Sequence, residues 1–103
     1  SIPAGDPKAV KASLPDHLAY LAGLEKDGVL ALAGPLSDET GEQMEGMGML
    51  VLRAESFEHA RELAANDPMH RSGARTFTLR KWLINEGSLT VTIGLSSQSV
   101  ELS

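Results

Sequence analysis

Residues 13–36 read SLPDHLAYLAGLEKDGVLALAGPL. Two periodicities meet in this stretch. Leu14, His17, Leu18, Leu21 and Leu24 recur at spacings of three and four, which places them on one face of a helix. Val29–Ala33 then forms a short apolar run of strand character that ends at Gly34-Pro35-Leu36. Ser13 with Asp16 has the form of a capping box, with Asp where Glu is usual, and Pro15 suits a first helical turn. The main helix is therefore expected to start there and to stop at Asp27, with Gly28 as a left-handed cap. Lys8–Ala12 is compatible with one short helical turn before it.

The segments on either side extend this pattern. The opening Ser1–Lys8, with Pro3, Gly5 and Pro7, reads as extended or irregular. Residues 37–46 form an acidic loop, and Met47–Arg53 a second strand. Ser56 is an N-cap for a helix whose stripe is Phe57, Ala60, Leu63 and Ala64. That helix ends at Asn66, because Asp67 precedes a proline and is biased away from helical angles. Met69–Ala74 reads as a loop. Arg75–Leu83 alternates, with Phe77, Leu79 and Leu83 on one side, and Leu89–Leu95 alternates after the turn at Asn85-Glu86-Gly87. A last short strand is expected at Val100–Leu102. The order helix, strand, strand, helix, strand, strand predicts an α+β fold, a ferredoxin-like sandwich with a mostly antiparallel sheet and two helices on one face. A complete βαββαβ unit needs one more strand before the first helix, for which Ser1–Pro7 is a poor candidate. Either the natural start lies outside this sequence, or the C-terminal strands fill the gap, across a dimer.

Composition narrows the function classes. A length of 103 residues fits one domain, 1–103. The 14 acidic and 9 basic residues leave a net charge of -5, and the aromatics are two Phe, one Tyr and one Trp. Such a chain has neither the basic stripe nor the stacking platform of a nucleic-acid binder. No apolar run approaches the roughly 20 residues that span a bilayer, so no membrane association is expected. Nor does any stretch resemble a signal peptide. With no cysteine there is no disulfide and no thiolate chemistry, which agrees with a cytoplasmic location. The acids Asp38, Glu39, Glu42 and Glu45 lack the spacing of a metal loop and read as a solvated face.

His17 is the residue of most chemical interest. An imidazole on an apolar face needs a partner for at least one ring nitrogen, or its burial costs free energy. Asp67 is the acid to pair with it, and such a pair is suited to general acid-base work near neutral pH. A core histidine satisfied by a backbone carbonyl explains the sequence equally well. So does an Asp67 that only caps the following turn. Gly34-Pro35 either ends a strand or lets a ligand approach the backbone closely. Ser37 is a candidate hydrogen-bond donor to a bound oxygen. Arg71 and Arg75 are candidates to orient a carboxylate or phenolate, against a plainer reading as solvated arginines. His70 lies on the loop near Asp67, within reach of a pocket, and His59 sits at a helix edge. No two histidines stand at a familiar ligand spacing, so no metal is expected. No serine elbow, phosphate loop or dinucleotide fingerprint appears.

His17 with Leu18-Ala19-Tyr20-Leu21, then Gly34-Pro35-Leu36, then Asp67-Pro68, and Trp82 at a strand end occur in an order that resembles the YCII-related family. The resemblance is strongest over residues 13–83, with residues 88–103 as added C-terminal strands. It implies a dimeric ferredoxin-like fold, similar to muconolactone isomerase and the dimeric α/β-barrel proteins. It also implies a His-Asp dyad at His17 and Asp67, with Pro68 holding the acid and Gly34-Pro35 shaping the pocket wall. One relative is a dehydrochlorinase acting on a chlorinated hydroxyhydroquinone. The expected function is therefore proton transfer on a small aromatic or carbonyl compound, by elimination or isomerisation, in a cofactor-independent lyase or isomerase. The alternative is a non-catalytic ligand-binding or accessory dimeric module. Two departures stand out: the family's first strand has no counterpart, and Met69-His70-Arg71 occupies a place where an apolar aromatic residue is common.

Overall fold

The computed structural model describes residues 1–95 and 99–102. Its elements run β1 (Ile2–Pro3), α1 (Pro7–Lys26), β2 (Leu30–Ser37), β3 (Met44–Leu52), α2 (Phe57–Ala65), α3 (Pro68–Arg71), β4 (Arg75–Thr76), β5 (Val91–Gly94) and β6 (Ser99–Leu102). This is the expected α+β architecture, and its βαββαβ core order is compatible with a ferredoxin-like fold.

Strand β2 pairs antiparallel with β3, Gly34 facing Met49 and Pro35 facing Gly48. The chain start, expected to be irregular, instead makes the short strand β1, which pairs antiparallel with β4 through Ile2–Thr76 and Pro3–Arg75. Ser1 also exchanges hydrogen bonds with Gly48, its nitrogen donating to the Gly48 carbonyl at 2.9 Å and Gly48 N to the Ser1 carbonyl at 2.8 Å. These bonds join β1 to β3 and give the sheet its missing first member. Gly46, at φ +86°, passes 3.0 Å (from an ideal Cβ position) below the Pro3 ring, so a side chain there meets both backbone strain and a neighbour.

Helix α1 starts two turns earlier than the sequence suggests and carries Pro15 inside it. The start signal is Asp6-Pro7: the Asp6 carboxylate accepts from Lys8 N at 2.9 Å and Pro7 occupies the first turn, where a missing N–H costs nothing. Its inward face is also rotated. Val10, Ser13, His17, Tyr20, Leu21 and Leu24 are half-buried, whereas Leu14 and Leu18 are exposed. The segment 69–74, expected as a loop, begins with the single-turn helix α3, giving three helices among the described residues rather than two. The predicted strand Arg75–Leu83 is paired only over Arg75–Thr76. Beyond it, β5 and β6 pair with each other from Val91–Leu102 to Gly94–Ser99. The expected single sheet is thus drawn as three two-stranded ladders, with the Ser1–Gly48 bonds between the first two.

Only Met69, Ala74 and Asp67 are fully buried among the described residues. All three lie at the junction of α3 with its neighbours, so the best-packed part of the chain is the part that holds the candidate acid.

Candidate active site at the α3 junction

Helix α1 presents His17 from its inward face, and the break between α2 and α3 presents Asp67. The backbone at Asp67 is extended (φ −60°, ψ 127°) because a proline follows, and that conformation frees its carboxylate to cap α3. Oδ1 accepts from Met69 N at 2.9 Å. The same carboxylate accepts from His17 Nδ1, which lies 2.8 Å from both oxygens. Capping and pairing, alternatives in the sequence, coexist.

This arrangement fixes the imidazole. A carboxylate cannot donate when ionised, so Nδ1 carries the proton and Nε2 of the neutral ring holds a lone pair. Asp67 is 2% exposed, while the His17 side chain retains 19% exposure. No buried side-chain nitrogen or oxygen among the described residues lacks a partner, and His17 bonds only through Nδ1. Its Nε2 therefore reaches solvent. A ring held on one nitrogen and open on the other can exchange protons with a ligand, and the carboxylate behind it stabilises the imidazolium that results.

Beside the dyad lies a cleft of about 1040 Å³, between α1, α2, β3 and residues 77–82. Asp67, Tyr20 and His70 line it, with Leu21, Leu50 and Leu63 among its apolar wall. His17 is not part of that wall, so Asp67 is the element shared by dyad and cleft. Tyr20 was not singled out from the sequence as a site residue, although its spacing of three from His17 carries it to the same face. Its hydroxyl donates to the Leu63 carbonyl at 2.7 Å. Burial raises the phenol above its ordinary value of 10.0, the Asp67 charge adds to the rise, and Arg71 opposes both. The unfolded chain then releases this proton near pH 10 while the folded protein retains it, so the bond's contribution is intact below that pH and fades above it. Urea midpoints measured from about pH 9 to 11 should fall less steeply for Tyr20→Phe than for the native chain. Equal slopes would contradict this role.

Pro68 is the first residue of α3 and His70 sits in its last turn, so both belong to the junction. His70 Nδ1 donates to the Ala64 carbonyl at 2.7 Å, and its ring lies 4.7 Å from that of Phe77. Arg71 is exposed, and its side chain donates to Asn66 Oδ1 at 3.5 Å. Gly34, Pro35 and Ser37 lie exposed on β2 outside the cleft wall, though Leu36 between them belongs to it. The Ser37 hydroxyl donates to the Asp38 carbonyl at 2.9 Å. Arg75 turns inward, its Nε donating to Ser1 Oγ at 2.8 Å and a terminal nitrogen to the Ser1 carbonyl at 2.9 Å and to the Gly46 carbonyl. His59 Nδ1 accepts from Glu55 N at 3.2 Å. In the acidic loop, hydrogen bonds from Thr40 hold the Asp38 carboxyl below its ordinary range. No group of three or more His, Asp or Glu residues suited to a metal ion occurs among the described residues. No helix there is long and apolar enough to cross a membrane.

Comparison with known proteins identifies the family. The uncharacterised protein YjpA of Bacillus subtilis (strain 168) is 33% identical over 70 residues, which cover 68% of this chain and 75% of YjpA. The model of the YCII-related domain matches residues 3–83, a span that begins in β1 and includes both His17 and Asp67. The chain belongs to the YCII-related domain family.

Proposed function

We propose that this protein is a cofactor-independent proton-transfer enzyme, a lyase or isomerase, acting on a small aromatic or carbonyl compound. The observation that carries the reading is the two-oxygen grip of a buried Asp67 on His17 Nδ1, which leaves Nε2 open. In the reaction His17 Nε2 takes a proton from an acidic carbon or hydroxyl of the ligand. Asp67 stabilises the imidazolium, and the proton returns elsewhere on the product or leaves with an eliminated group. The mostly apolar cleft with a few polar groups suits a compact ring. Gly34, Pro35, Ser37, Pro68, His70 and Arg71 are the candidates for shaping and orienting, and of these His70 has the strongest support because it lies on the cleft wall.

The experiment is solvent exchange in deuterium oxide with a panel of hydroxyquinones and keto acids. Deuterium entering a ligand carbon faster with protein than without supports the proposal. No acceleration for any member would favour a second reading, a binding module with a structural dyad, which the absence of His17 from the cleft wall supports.

The active form in this proposal is a homodimer in the cytoplasm. Ile2, Leu32, Met44, Met47, Met49 and Trp82 are large apolar residues left between 44% and 63% exposed, apolar surface that a second copy would cover. Sedimentation should give twice the chain mass of 10.9 kDa. A single-chain mass at micromolar concentration would remove the dimer from the account.

A further inference from the structure

On the cleft wall, to which His17 does not belong, a serine and a histidine distant in sequence meet. Ser1 Oγ lies 2.9 Å from His70 Nε2, and both residues line the cleft. The polarity of this contact follows from its neighbours. His70 Nδ1 faces the Ala64 carbonyl at 2.7 Å, and a carbonyl only accepts, so Nδ1 carries the proton. Nε2 of the neutral ring is then an acceptor, and the Ser1 hydroxyl donates to it. On its other side Ser1 Oγ accepts from Arg75 Nε at 2.8 Å. A hydroxyl that donates to an imidazole whose far nitrogen is anchored by a third group is the arrangement of an activated nucleophile. The nearby guanidinium lowers the cost of negative charge on that oxygen. The order of groups is serine, histidine and main-chain carbonyl, with no carboxylate in the third place.

We infer that Ser1 is a nucleophile, with His70 as its base, able to cleave small carboxylic esters whose acyl group fits the apolar wall of Leu21, Leu50, Leu63 and Phe77. Ser1 Oγ bonds to the ester carbonyl carbon as its proton passes to His70 Nε2. The bond from that carbon to the alkoxy oxygen then breaks, and the leaving alcohol takes the proton. Water gives a proton to His70 and its oxygen to the acyl carbon, the Ser1–acyl bond breaks, and Oγ recovers the proton. No other reactant is required. The cleavage uses neither His17 nor Asp67 as a reacting group.

The probes are p-nitrophenyl acetate and a fluorophosphonate, used on the full chain. Release of p-nitrophenolate should exceed background and fall roughly 10²-fold or more in Ser1→Ala and in His70→Gln. Ser13→Ala, which removes a hydroxyl bonded to Ser72 at 3.1 Å, should keep the native rate. The fluorophosphonate mass increment should appear on the peptide containing Ser1 and vanish in Ser1→Ala. Release no faster than background, equal release by Ser1→Ala, or an increment on any other residue would overturn the assignment. Ser1→Ala changes one half-buried hydroxyl, so loss of fold does not obscure the result.

Discussion

Asp67→Ala should destabilise the chain by about 2–4 kcal/mol, through loss of a helix cap and the stranding of a buried donor. The carboxylate accepts from Met69 N and from His17 Nδ1 in the best-buried region among the described residues. Removing it unpairs both donors and leaves a hole beside Met69 and Ala74. Asp67→Asn separates the two contributions. Its side-chain oxygen still caps α3, so it should lose less stability while its neutral amide no longer supports an imidazolium. Urea unfolding of the two variants decides the matter: the midpoint should drop for alanine well beyond asparagine, with unchanged slope. Equal, small shifts would mean that the junction is not what holds this end of the domain.

His17→Gln should lower the proposed proton-transfer rate by about 10²–10⁴-fold, the usual contribution of a general base, while the chain stays folded. Glutamine keeps a polar amide at this site, and rotation about its extra methylene lets the amide nitrogen donate to Asp67, but it has no group that gains and loses a proton near neutral pH. Deuterium incorporation into the best compound of the panel gives the rate, and circular dichroism reports the fold. A variant that exchanges as fast as the native chain would place the chemistry elsewhere. A variant that unfolds would make His17 structural first, as expected for the binding-module reading.

The pairing of His17 with Asp67 is legible in the sequence because each partner carries a local signal. His17 falls in a helical stripe, and Asp67-Pro68 interrupts a helix. The exact face of α1 was harder to read. Leu14 and Leu18 are more apolar than Val10 and Ser13, yet the latter share the half-buried side with His17, and hydrophobicity alone pointed one position off. Pro15 points to a helix start near Ser13, whereas the structure starts α1 at Asp6-Pro7, the same cap-and-proline pair that starts α3 at Asp67-Pro68. Strand β1 consists of two residues, one a proline, and its evidence lies in its partners: Arg75, Thr76 and Gly48. The alternation over Arg75–Leu83 was real, but alternation does not supply a pairing partner. The Ser1–His70 contact spans 69 positions, and no local pattern announces it. The expected strand over Leu89–Leu95 is present over Val91–Gly94, whereas Ser96–Gln98, between it and the last strand, lies outside the described residues.

The most direct test of the central claim is the nitrogen NMR spectrum of the His17 ring, recorded alone and with each hydroxyquinone and keto acid of the panel. The account predicts a protonated Nδ1 and a lone-pair Nε2 in the neutral ring, and a shift of Nε2 on adding at least one compound. A proton resting on Nε2, or a ring indifferent to every compound that binds the protein, would contradict it.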